Sequence, residues 1–330
     1  MDVVPDIAIR VRGLVKRYGS VTAVDGLDLD VARGETLAIL GPNGAGKSTT
    51  IECCEGYRRP DAGSVQVLGL DPHRDGDQLR PRIGVMLQEG GIYPVAYAPE
   101  VLHLYSRLFA DPLDPIALLD QVGLAAAQKT RYRDLSGGQK QRLSLAVALI
   151  GKPEVVFLDE PTAGLDPAGR RETWEIVRGL QAEGVTIVLT THLLDEAEEL
   201  ADRVAIVDRG RVVATGTPDE LTHGTQADLT FSADAGLDVA GLGHTLGAAV
   251  VEEKPGRYRV DAEPTPAMVG DLGVWLAGQQ AQLGELRAGK RSLEDVFLRL
   301  TSEPSAAAET RTASRRRRGR GRGRNTEVDA

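Results

Sequence analysis

The chain has 330 residues, 42% of them apolar, and a formal net charge of −9, enough for one large domain or two modest ones with a real core. Residues 311–324 hold eight arginines and no acid, so the rest of the chain carries about −17, a balance that argues against a general nucleic-acid binder. The cysteines, Cys53 and Cys54, are adjacent, which excludes both a disulfide framework and a metal spacing and fits two buried fillers in a reducing cytoplasm.

In chain order, IAIRVR at 7–12 alternates like an edge strand, and AVDGLDLDVARG at 23–34 reads as a second strand ending in a turn. TLAIL at 36–40 is a continuous apolar run, the pattern of a strand buried on both faces. It runs into a glycine loop, and KSTTIECCEG follows as a helix. Residues 71–134 read as mainly helical, punctuated by prolines at 94, 99, 112 and 115. GGQKQRLSLAVALIG is a helix stopped near Pro153, and VVFL at 155–158 is a second buried strand. Asp166-Pro167 is a helix start, with the Asp as N-cap. VTIVLTTH at 185–192 is a third buried strand, LLDEAEELA a helix, and residues 204–216 a hairpin. Buried strands alternating with helices predict a mainly parallel sheet in an α/β domain over residues 1–222.

Beyond about residue 222 the pattern shortens. ADLTF, GRYRVDA and LGELRAG are strand-like, and PAMVGDLGVWLAG and SLEDVFLRL are helical, which predicts a small accessory α+β domain over 223–303. Residues 304–330 lack apolar period and are expected to be disordered. MDVVPDIAIR has no secretory apolar core, and no run approaches the roughly 20 apolar residues that cross a bilayer. Any work at a membrane is therefore expected to need a partner.

Gly41-Pro42-Asn43-Gly44-Ala45-Gly46-Lys47-Ser48, followed by Thr49, fits GxxxxGK[ST] between a buried strand and a helix. The glycines let successive N–H groups turn inward around phosphates, and the helix N-terminus adds partial positive charge. Lys47 reaches the β- and γ-phosphates, and Ser48 coordinates Mg²⁺. VVFLDEP delivers two carboxylates at a strand's C-terminal end, where open α/β sheets bind ligands. Asp159 can hold the hydrated metal, and Glu160 can orient and deprotonate the attacking water. His192 ends the next buried strand, aimed at the same sheet edge, whereas His73, His223 and His244 fall in turn-like sequence and His103 on a helix. His192 can contact the γ-phosphate. Gln88 follows an apolar run and can reach the metal or the water. LSGGQKQR at 135–142 is a second stretch built to offer backbone N–H groups to a phosphate, although one nucleotide needs one cradle.

Together these motifs resemble the ATP-binding cassette of an ABC transporter. GPNGAGKST, Gln88, LSGGQ, VVFLDEP, AGLD at 163–166 and His192 occur in the family's order across roughly residues 7–220. The resemblance implies an ABC-type P-loop NTPase fold. Its parts are a mainly parallel core, an antiparallel β subdomain and a helical subdomain at about 89–150. It implies an ATPase with ATP and Mg²⁺, and Tyr18 stacking on adenine. It also implies that Ser136, Gly137, Gly138 and Gln139 contact the γ-phosphate held by another cassette, with Asp166 crossing the same interface. The partners implied are a second copy or a related cassette, and a separate transmembrane permease. The place implied is the cytoplasmic face of the membrane. The ending SLEDVFLRLT resembles ATPase subunits of multidrug and antibiotic exporters. The segment from Gln88 to Leu108 would then hold the permease's docking groove, and the basic tail could contact anionic lipid. The competing reading is a soluble ABC ATPase acting on nucleic acid or ribosomes. Only 86 residues separate Ser48 from Leu135, too few for the long coiled coil of the repair type, and there is one cassette, not two.

Overall fold

The computed structural model describes residues 6–86, 91–223, 228–289 and 292–302; Gln88 and the Arg-rich tail lie outside them. The chain begins with a long antiparallel pair, β1 (Ile7–Tyr18) and β2 (Val21–Ala32), then β3 (Thr36–Leu40), α1 (Lys47–Cys54), β4 (Ala62–Val67), the short α2 (Gly76–Leu79) and β5 (Ile83–Met86). Next come α3 (Ala98–Ser106), α4 (Pro115–Gln121), α5 (Gly137–Leu149), β6 (Val155–Asp159), α6 (Pro167–Ala182), β7 (Thr186–Thr191), α7 (Leu194–Leu200) and the hairpin of β8 (Arg203–Asp208) and β9 (Arg211–Gly216). After α8 (Pro218–His223) the chain forms β10 (Asp228–Ser232), α9 (Val239–Leu246), β11 (Val250–Lys254), β12 (Arg257–Val260), α10 (Pro266–Gly278), β13 (Leu286–Gly289) and α11 (Leu293–Ser302).

The central sheet runs β5-β6-β7-β3-β8-β9, parallel except for the β8–β9 hairpin. β3 and β7 are buried at every residue, because layers cover both faces of the sheet. Alternate side chains therefore serve two cores. Ala38 and Leu40 face the helices, with Leu143, Leu149 and Val177, while Leu37 and Ile39 face α1 and the antiparallel sheet β2-β1-β4. Cys53 and Cys54 belong to the second core, and burial raises the Cys53 thiol to about 11 and raises Cys54 as well. Both are inert packing residues, as the sequence suggests.

Residues 71–134 depart from the helical expectation. Their described part holds α2, α3, α4, three one-turn 3₁₀ segments and the edge strand β5. Pro99 and Pro115 open α3 and α4, so proline sets short helices there instead of interrupting long ones. Likewise His244 sits inside α9 and not in a turn.

A second sheet, β11-β12-β10-β13, is fully antiparallel and packs Leu229, Phe231, Tyr258 and Val260 against Leu242 of α9 and Leu272 and Leu276 of α10. The rings of Phe231 and Tyr258 stack 5.0 Å apart. α11 does not join that core. Its buried Leu293 and Val296 pack into the helix-side core of the first domain, and the Leu293 N–H donates to Glu198 at 3.2 Å.

Glu55 caps the C-terminus of α1 and is held well above the ordinary carboxylate range, to about 8, first by burial and then by the charges of Asp159 and Glu52. The folded chain thus keeps this proton to higher pH than the unfolded chain does. The associated stability is complete below about pH 4.5 and is lost as pH rises towards 8. Glu55→Gln is expected to raise the melting temperature of the free protein at pH 8 while changing little at acid pH, by roughly 2–4 °C for each kcal/mol recovered. A parallel rise at both pH values would show that folding does not shift the titration of the Glu55 carboxyl.

Candidate active site

Register places three strand tips side by side. Leu40 of β3 pairs with Thr191 of β7, and Asp159 of β6 pairs with Thr190 of β7. The glycine loop, the acidic pair and His192 therefore leave the same sheet edge from adjacent strands. Brought together there are Gly41–Thr49, Asp159, Glu160 and His192.

The loop is shaped by contacts that admit no side chain. A Cβ on Gly41 would lie 2.3 Å from the Val207 carbonyl oxygen, and one on Gly46 would lie 2.4 Å from that of Ala23. Gly46 also takes φ 103°, in the region that glycine favours. α1 starts with no capping side chain and no acid in its first turn, so its first N–H groups are open to an anion. Lys47 is buried, and its Nζ donates to Gly41 O at 2.7 Å and Pro42 O at 3.3 Å, across the mouth of the loop. Burial lowers its pKa, and Glu160 and Asp159 act in the opposite direction. A phosphate restores to this cation the counter-charge that burial denies it.

Ser48 Oγ donates to Asp159 Oδ1 at 3.3 Å, and Thr190 Oγ1 also donates to Asp159 Oδ1. Two hard oxygens on facing elements fit Mg²⁺, which takes few protein ligands and keeps waters and substrate phosphates for the rest of its octahedron. Among the described residues no three His, Cys, Asp or Glu side chains form a dedicated metal cage.

Glu160 has φ 49°, a left-handed conformation costing a non-glycine residue roughly 1–3 kcal/mol. Its peptide is pinned from several sides. Its N–H reaches Thr190 O and Thr190 Oγ1, both at 3.1 Å, and its carbonyl accepts from Ala163 N and from Gln141 Nε2, also both at 3.1 Å. Its carboxylate faces His192, with Nδ1 to Oε1 at 3.4 Å. Beneath this layer Glu196 is 1% exposed. It accepts from Thr162 Oγ1 at 2.8 Å and Trp174 Nε1 at 3.2 Å, while its Oε2 has no partner. It lies under the segment that joins Glu160 to Asp166, and burial raises its pKa against the hydrogen bonds that lower it.

The LSGGQ stretch is elsewhere on the surface. Leu135 is buried as an anchor, but Ser136 and Gly137 are exposed. Ser136 caps α5 by accepting from Gln139 N at 3.2 Å, and Gln139 Oε1 accepts the Ser136 N–H at 2.9 Å, which leaves the hydroxyl hydrogen free to donate. Gly138 packs near Leu165, and Asp166 caps α6 through Gly169 N at 2.8 Å. Among the described residues no hydrogen bond or ion pair joins 135–139 to the glycine loop. Tyr18, at the end of β1, is 42% exposed, with Lys16 Nζ 5.7 Å and Arg58 Cζ 5.9 Å from its ring centre. Gln141, Thr190, Glu196 and Arg58 were not foreseen from sequence. Each acts through a partner brought near only by the fold.

A family model described as ABC transporter matches residues 24–163. The chain is 41% identical over 323 residues to the daunorubicin resistance ATP-binding protein DrrA3 of Streptomyces coeruleorubidus, covering 92% of this chain and 99% of that one. It is 39% identical over 307 residues to the Nod factor export ATP-binding protein I of Ralstonia nicotianae, covering 89% and 93% respectively. Among solved structures it resembles cbiO1 from Clostridium perfringens, part of the ABC transporter complex cbiONQ, with TM-score 0.59 and 32% identity over 66% of this chain and 90% of that chain. A structure of the ATP binding subunit of an ABC transporter gives TM-score 0.60 and 28% identity over 66% and 92%. Near-full-length identity to such proteins, on a fold that sets a glycine loop beside an Asp-Glu strand tip, means that the chain belongs to the ABC transporter ATP-binding family, whose members bind and hydrolyse ATP.

Proposed function

We propose that the chain is the ATP-hydrolysing subunit of an exporter, working at the cytoplasmic face of a membrane on a separate permease that moves drugs or other small hydrophobic compounds. The observation that carries this reading is identity along nearly the whole chain, accessory domain included, to resistance and export ATP-binding proteins. No helix among the described residues is long and apolar enough to cross a membrane. An exposed apolar patch supports a membrane partner. Tyr93, Leu104 and Leu108 are 74%, 56% and 72% exposed, beside a cavity of about 140 Å³ lined by Ile92, Val101 and Tyr105.

In this reading the loop N–H groups of Gly41–Thr49 and the Lys47 ammonium bind the phosphates of ATP, and Tyr18 stacks on the base. Ser48 and Asp159 would hold Mg²⁺, with Gln88 reaching towards it; when bound, the ion neutralises charge on the β- and γ-phosphates. Glu160 orients a water and takes its proton as the water oxygen bonds to the γ-phosphorus and the bond to ADP breaks. His192 contacts the γ-phosphate. Ser136, Gly137, Gly138 and Gln139 grip the γ-phosphate bound by a second cassette, and Asp166 crosses the same interface. Two cradles on one chain thus serve two nucleotides in a head-to-tail dimer. Closing and opening of that dimer drives the permease.

Cells expressing the chain with its permease are expected to retain less of a fluorescent hydrophobic drug than cells carrying Lys47→Ala. Equal retention, with ATPase activity intact in the purified protein, would remove the export reading. Leu104→Arg is expected to release the chain from permease-containing membranes while leaving soluble ATPase activity unchanged. Undiminished membrane retention would move the docking surface elsewhere.

A further inference from the structure

Among the described residues, one side-chain hydrogen bond ties α5 to the candidate site of its own chain. The helix begins at Gly137, with Ser136 as its cap and Gly137 exposed at its tip. One turn further on, Gln141 Nε2 donates to the carbonyl of Glu160 at 3.1 Å. That carbonyl belongs to the residue at φ 49°, the one non-glycine left-handed position at the described strand tips of the site. Its other restraints come from Thr190 and from Ala163, on the chain's own core strand and the turn that follows the acidic pair. Gln141 is the restraint that arrives from the helix bearing the second cradle.

We propose that Gln141 is a positioning residue that couples the two sites of the dimer, setting Glu160 on its own chain according to how the tip of α5 is engaged by the other chain's nucleotide. This rests on the head-to-tail reading above. The second cradle and Gln141 lie on one rigid helix, so displacement of Ser136 towards a γ-phosphate displaces the amide that holds Glu160 in its left-handed conformation. The carboxylate of Glu160, facing His192, turns with its peptide. Each nucleotide is therefore read by the helix of one chain and reported to the base acting on the other nucleotide.

Gln141→Met keeps length and removes the donor. It is expected to lower kcat about tenfold, with KM and affinity for ATP unchanged, since a small misplacement of a catalytic group has that scale of effect. Gln141→Lys restores a donor of similar reach and is expected to recover most of the loss. An unchanged kcat, or equal loss in both variants, would overturn the proposal. Mixed dimers then locate the lesion. Mixed with Ser136→Arg, the Met variant leaves one site free of both lesions. Activity is expected to match a reference mixture of Lys47→Ala with Ser136→Arg, below the roughly one quarter of wild type that independent sites would give, because the disengaged α5 tip of the Ser136→Arg chain leaves its own base poorly set. Mixed with Lys47→Ala, it leaves none, and activity is expected near a twentieth. The reverse pattern would mean that Gln141 serves the second cradle and not the base, and would overturn the proposal. The reference mixture of Lys47→Ala with Ser136→Arg separates the two failures. Recovery of about a full quarter there would mean independent sites and would overturn the coupling, while no recovery together with absent ATP-dependent cross-linking between position 136 and the partner's loop at 41–48 would remove the shared-site reading.

Discussion

Glu160→Gln is expected to reduce ATP turnover by roughly 10²–10⁴ while leaving ATP binding intact, the scale set by loss of a positioned general base. The substitution keeps the volume and the backbone hydrogen bonds to Thr190 and from Gln141, so the left-handed turn at 160 should survive. It removes only the capacity to accept a proton from the attacking water. Lys47, Ser48 and the loop N–H groups remain, so nucleotide still binds, and the two cassettes should accumulate in a closed, ATP-loaded dimer. Equilibrium binding, single-turnover hydrolysis and gel filtration with ATP read the three consequences separately. Turnover within a few-fold of wild type would remove Glu160 as base. Loss of binding together with turnover would mean that the substitution damaged the site's shape instead.

Lys47→Ala and Ser136→Arg are each expected to abolish activity as pure dimers, and a one-to-one mixture to recover activity up to about a quarter of wild type, the value for sites that fire independently. Lys47 spans its own loop, while Ser136 stands on the exposed tip of α5 with no bond to that loop. If each site takes one cradle from each chain, a mixed dimer collects both lesions in one site and neither in the other. Half of randomly assorted dimers are mixed, each with one sound site of two. If both cradles served one chain's nucleotide, every site in the mixture would carry a lesion and nothing would return. A negative result counts against shared sites only when cross-linking demonstrates mixed dimers and the contact between cradles is also absent, because coupled sites can silence a lone sound one. ATP-dependent cross-linking between position 136 of one chain and the loop at 41–48 of its partner tests the same geometry directly.

The elements that carry the chemistry were legible because burial on both faces leaves an unambiguous trace. TLAIL, VVFLD and TIVLTT are short apolar runs, and all three became core strands ending where the motifs begin. Asp166 capped α6 as its Asp-Pro pair implies. Exposure erased the trace elsewhere. β4, with AGSVQV, turns most of its side chains outward and was not foreseen. β1 runs on to Tyr18, but register shifts after Val11 break its alternation, and only its first half could be read. In α9, Gly241 and Gly243 mask a helix whose start is secured by Asp238 accepting from Ala240 N and Gly241 N. Within the site, the residues proposed to hold phosphate or metal belong to short local motifs. Gln141 and Glu196 touch the backbone and hydroxyls of segments 19 and 34 residues away, a relation that local pattern does not encode.

The seating of Leu293 and Val296 in the first domain's core has a consequence for synthesis. The last segment of that core is made after the entire accessory sheet, so the ATPase domain cannot complete its interior when its own strands have emerged from the ribosome. Between β9 and α11 lie roughly 80 residues, which take about 4–16 s at about 5–20 residues per second. During that interval the surfaces of α7 and α8 against which α11 packs are left uncovered. The nascent chain is then a ready client for a holding chaperone, and a stop codon before residue 293 would leave an aggregation-prone ATPase in place of a shorter, sound one.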